Sequence, residues 1–247
     1  MTALRAPELS GLRGMPFLDE GFQWRRLLSM AAAARLWVAR ERGMPGTATP
    51  ADAGRWLEPG TAAQLYDAAP PVPALPLPPG DLERVREVLA GLRERFPWWE
   101  PLTLLPVEFM LMDPEIGSMS ASSRDWPQRV LLDTRTFATA EELREHVLHE
   151  LAHQWLYFIE DIWPLEGPQP GRVTLPSGTP NRRPAEVLGA AHVAAVLIRL
   201  YATEPGTGER RERLAGYGRG CIALAGEAAA DLTNDGRAIA QRLKEEF

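Results

Sequence analysis

The sequence predicts an α+β fold, mostly helical, in which a small sheet packs against one long helix. Three observations carry this expectation. Apolar residues recur at helical spacing through much of the 247 residues. Two short runs rich in Leu, Val and Phe read as strands. The run from Thr139 to Asp161 reads as a helix and holds three of the chain's 4 histidines.

Residues 1–18 are punctuated by Gly and Pro and are expected to be irregular. From Gly21 to Arg42 the spacing of Trp24, Leu27, Leu28, Ala31, Leu36 and Val38 fits an amphipathic helix. A Pro-rich stretch follows, from Ala69-Pro70-Pro71 to Pro79-Gly80. Fixed φ angles and missing donors make it an extended connector and the best boundary in the chain. The expected division is therefore 1–80, an N-terminal helical segment with its connector, and 81–247, a metal-binding catalytic domain. Asp81 is expected to cap a charged helix running to about Phe96. Strands are expected over Leu102–Met112 and Arg129–Asp133. Thr139-Ala-Glu-Glu142 reads as a capping box opening the next helix. That helix should end near Asp161, ahead of the loop marked by Pro164, Gly167, Pro168, Pro170 and Gly171. Pro184 suits a first helical position, and a helix should follow from Ala185 to Tyr201. Helices over 208–230 and 235–246 complete the chain.

Composition narrows the function. The net charge is −6 with both signs interspersed, and only Lys244 of the 27 basic residues is lysine. No basic face for nucleic acid is indicated. The longest apolar stretch, Met30 to Ala39, is broken by Arg35 and is too short to cross a bilayer. Cys221 is the one cysteine, which excludes an intramolecular disulfide and a thiolate metal cluster. A cytoplasmic location is the expectation, and the oligomeric state is open.

Within the histidine helix the run reads His149-Glu-Leu-Ala-His153. At about 100° per residue, positions four apart lie roughly 40° apart and one turn along the axis, so both imidazoles reach one ion. Glu150 sits beside the first ligand, where it can contact a metal-bound water or hold an outer hydrogen bond. A small sheet against such a helix is a zincin-like arrangement. A catalytic ion needs a third ligand. His146 lies two turns from His153, roughly 10 Å, which is too far for one helix to close. His192, 39 residues after His153, sits among small residues on the next helix and is either a ligand or a core histidine. Glu160, Asp161 and Glu166 are acidic alternatives. The common peptidase extensions fit poorly. Leu156 and Ile159 stand where a glycine and a third histidine would be needed, and Ala190 stands where an aspartate would follow Glu186.

The second half of the chain resembles the HExxH-type peptide β-hydroxylases, which use iron and 2-oxoglutarate in ribosomal peptide natural-product pathways. The matching elements are Ser122-Ser-Arg-Asp-Trp-Pro127 leading into Val130-Leu-Leu132, then Val147-Leu-His-Glu-Leu-Ala-His153. They continue with Asn181-Arg-Arg-Pro184, Val187-Leu-Gly-Ala-Ala-His-Val193 and Asp231-Leu-Thr-Asn-Asp-Gly236. The likeness spans about residues 105–245. It implies Fe(II) held by His149, His153 and His192, with 2-oxoglutarate as cosubstrate. Where the family shows Asp-Pro-Arg-Pro this chain has Asn181-Arg182-Arg183-Pro184. Arg183 is then the match for the cation that receives the distal carboxylate of 2-oxoglutarate, with Arg182 as the alternative. A planar guanidinium at a helix N-terminus suits that role.

The implied function is hydroxylation of the β-carbon of a residue in a peptide or carrier-presented substrate, with Glu150 in support. Ser120, Ser122, Ser123 and Trp126 lie where a substrate strand would add, or form a polar edge loop. Trp98 and Trp99 are core or lid residues. The alternative is a zinc metallopeptidase in which Glu150 is the general base and Tyr217 or Arg183 stabilises the oxyanion. A non-catalytic module with a structural metal is a third reading, disfavoured because the chain has no thiolates and few histidines to close such a site.

Overall fold

The computed structural model describes residues 8–45, 49–69 and 72–247. Helices predominate among them, and four short strands form one mixed sheet, so the α+β expectation is met. The described residues divide into two units, Gln23–Phe158 and residues 8–22 with Ile159–Phe247.

In the first unit, α1 (Trp24–Glu41) packs with α2 (Pro50–Trp56) and α3 (Pro59–Leu65) through Leu36, Trp56 and Leu65. The α2–α3 pair was not anticipated, since helices of 7 residues, about two turns, are too short to show clear helical periodicity. Pro70 and Pro71 lie outside the described residues. Beyond them Ala74–Pro76 forms β1, an edge strand, where a proline without an N–H is tolerated. Helix α4 (Pro79–Arg95) starts two residues before Asp81. Pro79 takes the first helical position with its φ already helical, and Asp81 lies in the first turn, where the helix dipole favours it.

The strand expected over Leu102–Met112 is instead a turn of helix, α5 (Glu100–Thr103), followed by β2 (Glu108–Met112). An apolar run alone does not separate a buried helical turn from a strand. Pro101 presets helical φ, and the Trp155 indole donates to the Leu102 carbonyl at 2.9 Å. The stretch holding Ser120–Ser123 is a strand, β3, and is antiparallel to β4 (Trp126–Leu132). The sheet order is β1-β2-β4-β3, with β2 and β4 parallel. Interior strand β4 is buried on both faces, and Val130, Leu131 and Leu132 are at most 1% exposed.

Helix α6 (Ala140–Ile162) opens as expected: Thr139 Oγ1 accepts from the Glu142 amide at 3.1 Å. Gln154 joins the helix to β4, accepting from the Gln128 amide and donating to the Arg129 carbonyl. Gln128 has a left-handed φ of 58° that turns these groups toward the helix. Its side chain is bonded to the carbonyls of Leu57 and Pro106 and to the buried Arg35 guanidinium.

The second unit is built on α7 (Pro184–Ala202), α8 (Gly208–Glu227) and α9 (Asn234–Lys244). By length and composition α7 is apolar enough to cross a bilayer. Here it serves as a core helix with 72% of its apolar window buried. The Asp231–Gly236 motif is a clasp. The Gly167 amide donates to the Asp231 carbonyl at 2.8 Å, and the Thr233 amide to the Leu165 carbonyl at 3.1 Å. Thr233 also caps α9, accepting from Gly236 N at 3.1 Å. A Cβ at Gly236 would sit 2.1 Å from the Leu165 carbonyl oxygen, so glycine is required by close approach.

Candidate metal centre

From Val147 to Phe158 every residue of α6 is buried except His149, His153 and Tyr157. A helix sunk into a core exposes only what it must, and here the exposed stripe is two imidazoles and a phenol. The His149 and His153 rings are 5.0 Å apart between centroids, with planes at 62°. With metal–nitrogen bonds of about 2.1 Å, two imidazoles on one ion put their centroids roughly 4.5–5.3 Å apart. The pair meets that requirement.

Glu150 is buried beside them. Its side chain is 2% exposed against 36% for His149, and its Oε1 lies 3.8 Å from His149 Nε2. The Ser120 hydroxyl on β3 donates to Glu150 Oε1 at 2.7 Å and sits 3.0 Å from His146 Nδ1. A serine hydroxyl has one proton, so His146 must donate to it from Nδ1. Burial, then the neighbouring His149, holds the His146 pKa below the usual value. His146 therefore braces Glu150 through Ser120. Glu150 Oε2 is buried and takes no hydrogen bond.

Tyr157 adds a second brace. Its ring lies nearly parallel to His153, with centroids 6.0 Å apart, and its hydroxyl donates to the Ser122 carbonyl at 3.3 Å. The sequence contained one hint of this residue, its position four after His153. Ser120 had no local signal as a partner of Glu150, because that bond spans 30 residues.

No family model matches the chain, and no curated protein matches it. The chemistry of the site is therefore read from its own residues.

In the second unit, His192 is fully buried and its Nε2 lies 2.9 Å from the Pro16 carbonyl. A carbonyl only accepts, so Nε2 carries a proton. Arg183 occupies the N-cap position of α7, and its amide donates to the Glu186 carboxylate at 2.8 Å. The Arg183 guanidinium pairs with Glu166 at 3.3 Å and Glu186 at 3.4 Å, while Arg182 pairs with Glu186 at 2.8 Å. Burial opposes the Arg183 charge, but Glu166 and then Glu186 outweigh it, and its pKa is raised. Arg183 Nη2 takes no hydrogen bond among the described residues, which leaves one donor edge for an anion. Tyr217 is pushed up to about 12, chiefly by burial, and lies against Cys221 and Ser177. Trp99 is a core residue stacked on Phe96 at 3.9 Å. Among the described residues no three His, Cys, Asp or Glu side chains come together as a ready metal cluster.

Proposed function

We propose that the chain is a non-haem iron, 2-oxoglutarate-dependent oxygenase that hydroxylates the β-carbon of a residue in a peptide or carrier-presented substrate. The observation that carries this reading is the paired, outward-facing His149 and His153 on an otherwise buried helix, with Glu150 held back by Ser120. Two imidazoles spaced for one ion, beside a buried carboxylate oxygen with no partner, fit a divalent first-row metal. His149 and His153 would hold it. His192 is the proposed third ligand, and its Nε2–H bond to a carbonyl is the kind that fixes the tautomer of a ligating histidine. Iron with bound 2-oxoglutarate supplies the activation of O₂ needed to oxidise a C–H bond.

The chain's own residues do the rest. His146 and Ser120 hold Glu150 Oε1 in place beside His149, so Glu150 orders that ligand. Arg183 offers its open Nη2 edge to the distal carboxylate of 2-oxoglutarate, with Arg182 beside it. Strand β3 is a sheet edge whose Ser120 and Ser122 carbonyls accept from the hydroxyls of Ser118 and Tyr157. An extended peptide can replace those hydroxyls and add as a further strand. The zinc-peptidase reading is favoured by one observation, the unbonded Glu150 Oε2, which a metal-bound water would satisfy.

The deciding assay supplies Fe(II), 2-oxoglutarate and O₂ to protein purified anaerobically and follows succinate with candidate peptides. Substrate-dependent succinate with a 16 Da gain on the peptide, roughly one oxygen atom, is expected. Zinc-dependent peptide cleavage without succinate would transfer the assignment to the peptidase. Arg183→Ala should raise the 2-oxoglutarate requirement and leave metal binding intact.

A further inference from the structure

We propose that the groove between α8 and α9 binds a small amphipathic carboxylate, an apolar chain ending in a single anionic group. The groove encloses about 640 Å³, within the range of small-molecule sites. Ile222, Leu232 and Phe247 supply its apolar wall, and the alanines beside them leave the floor open. Every charged side chain in the lining is a cation: Arg219, Arg237 and Lys244. In a chain of net charge −6, three cations around one apolar groove with no Asp or Glu among them is a local inversion of sign.

Two of those charges have no acidic partner. Arg219 is paired with Glu212 at 2.9 Å. The Arg237 guanidinium, by contrast, bonds to the carbonyls of Ala229 and Leu232 and to Asn234 Oδ1, none of them a carboxylate. Lys244, the chain's one lysine, makes no ion pair among the described residues. An apolar wall under an uncompensated ammonium suits a ligand that is greasy along its length and negative at one end. The size decides between a small molecule and a protein. The groove is lined by 12 residues, whereas a stable protein partner covers about 20–30 on each side.

The test uses decanoate below its micellar concentration and decyltrimethylammonium, a cation with the same chain, in titration calorimetry of the full chain. Decanoate should bind saturably at one site, and the cation should not. Lys244→Glu should weaken decanoate by about fivefold or more, the worth of roughly one exposed ion pair. Gly226 lines the groove, and a Cβ there meets nothing within 4 Å, so Gly226→Leu fills the space without a clash. That variant should abolish binding while circular dichroism stays unchanged. Absence of decanoate binding by the unaltered chain overturns the proposal. So does equal binding of the two amphiphiles, or decanoate binding that survives Gly226→Leu.

Discussion

Glu150 shows how one side chain can change the meaning of a motif. Read along the chain, it stands between two ligands and looks like a general base. In the fold its Oε1 is held by Ser120, itself held by His146, and its Oε2 is buried without a partner. Removing the Ser120 hydroxyl would leave a buried carboxylate unsatisfied at both oxygens. Ser120→Ala should therefore cost about 1–3 kcal/mol of stability by urea unfolding. Glu150→Leu added to Ser120→Ala should cost less than the sum of the two single changes, because no charge then remains to be satisfied. Additive effects would show that the bond contributes nothing.

A second residue-scale expectation concerns pH. Burial would raise the Glu186 pKa, but the Arg183 amide and the Arg182 guanidinium outweigh it, and the folded value lies below the ordinary one. A carboxylate with a depressed folded pKa stabilises the fold above its unfolded pKa, and that contribution fades as pH falls through the lowered value. The difference in melting temperature between the unaltered chain and Glu186→Gln should therefore be largest near neutrality and shrink as pH falls below about 4. A gap that does not change with pH would assign the effect to packing.

At the scale of elements, glycines separate close approach from free surface. Gly236 sits in the first turn of α9, against the Leu165 carbonyl, while Gly91 lies on the exposed side of α4 with nothing within 4 Å of a Cβ. Gly236→Ala should destabilise by about 1–3 kcal/mol or more, since backbone must move. Gly91→Ala should stabilise by about 1 kcal/mol through helix propensity alone. Chemical denaturation of the two variants checks both signs. Most elements were legible from periodicity and caps: α1, β4, α6 and α7 fall where Trp24, Val130, Thr139 and Pro184 indicated, and α8 and α9 fall close to the ranges expected for them. The short helices α2, α3 and α5 were not, because one or two turns show no clear period. The short strands β1 and β3 were hidden too, since a three-residue strand ending in proline and a run of serines lack an apolar alternation.

For the whole molecule, a metal held at the proposed site would be linked to folding. A metal that binds only the native chain should stabilise it by about 2.7 kcal/mol at a free concentration 100 times its Kd. Scanning calorimetry with Fe(II) under argon, or with Zn(II), should show an upward shift that His149→Ala and His153→Ala each remove. A shift that persists in both variants would place the metal elsewhere.

A period of 3.6 residues and a capping box are local properties, so the helix that carries His149 and His153 was legible along the chain, as was the face that these two rings share. The closed fold settled which groups on that face remain partly exposed, and that Glu150 is buried beside His149. It likewise decided that the Asp231–Gly236 motif is a clasp, and that Arg183 is engaged by Glu166 and Glu186. Those outcomes rest on contacts between residues far apart in the chain, such as Ser120 with Glu150 and Gly236 with Leu165. Burial and hydrogen-bond satisfaction select such contacts only once the chain has closed on itself.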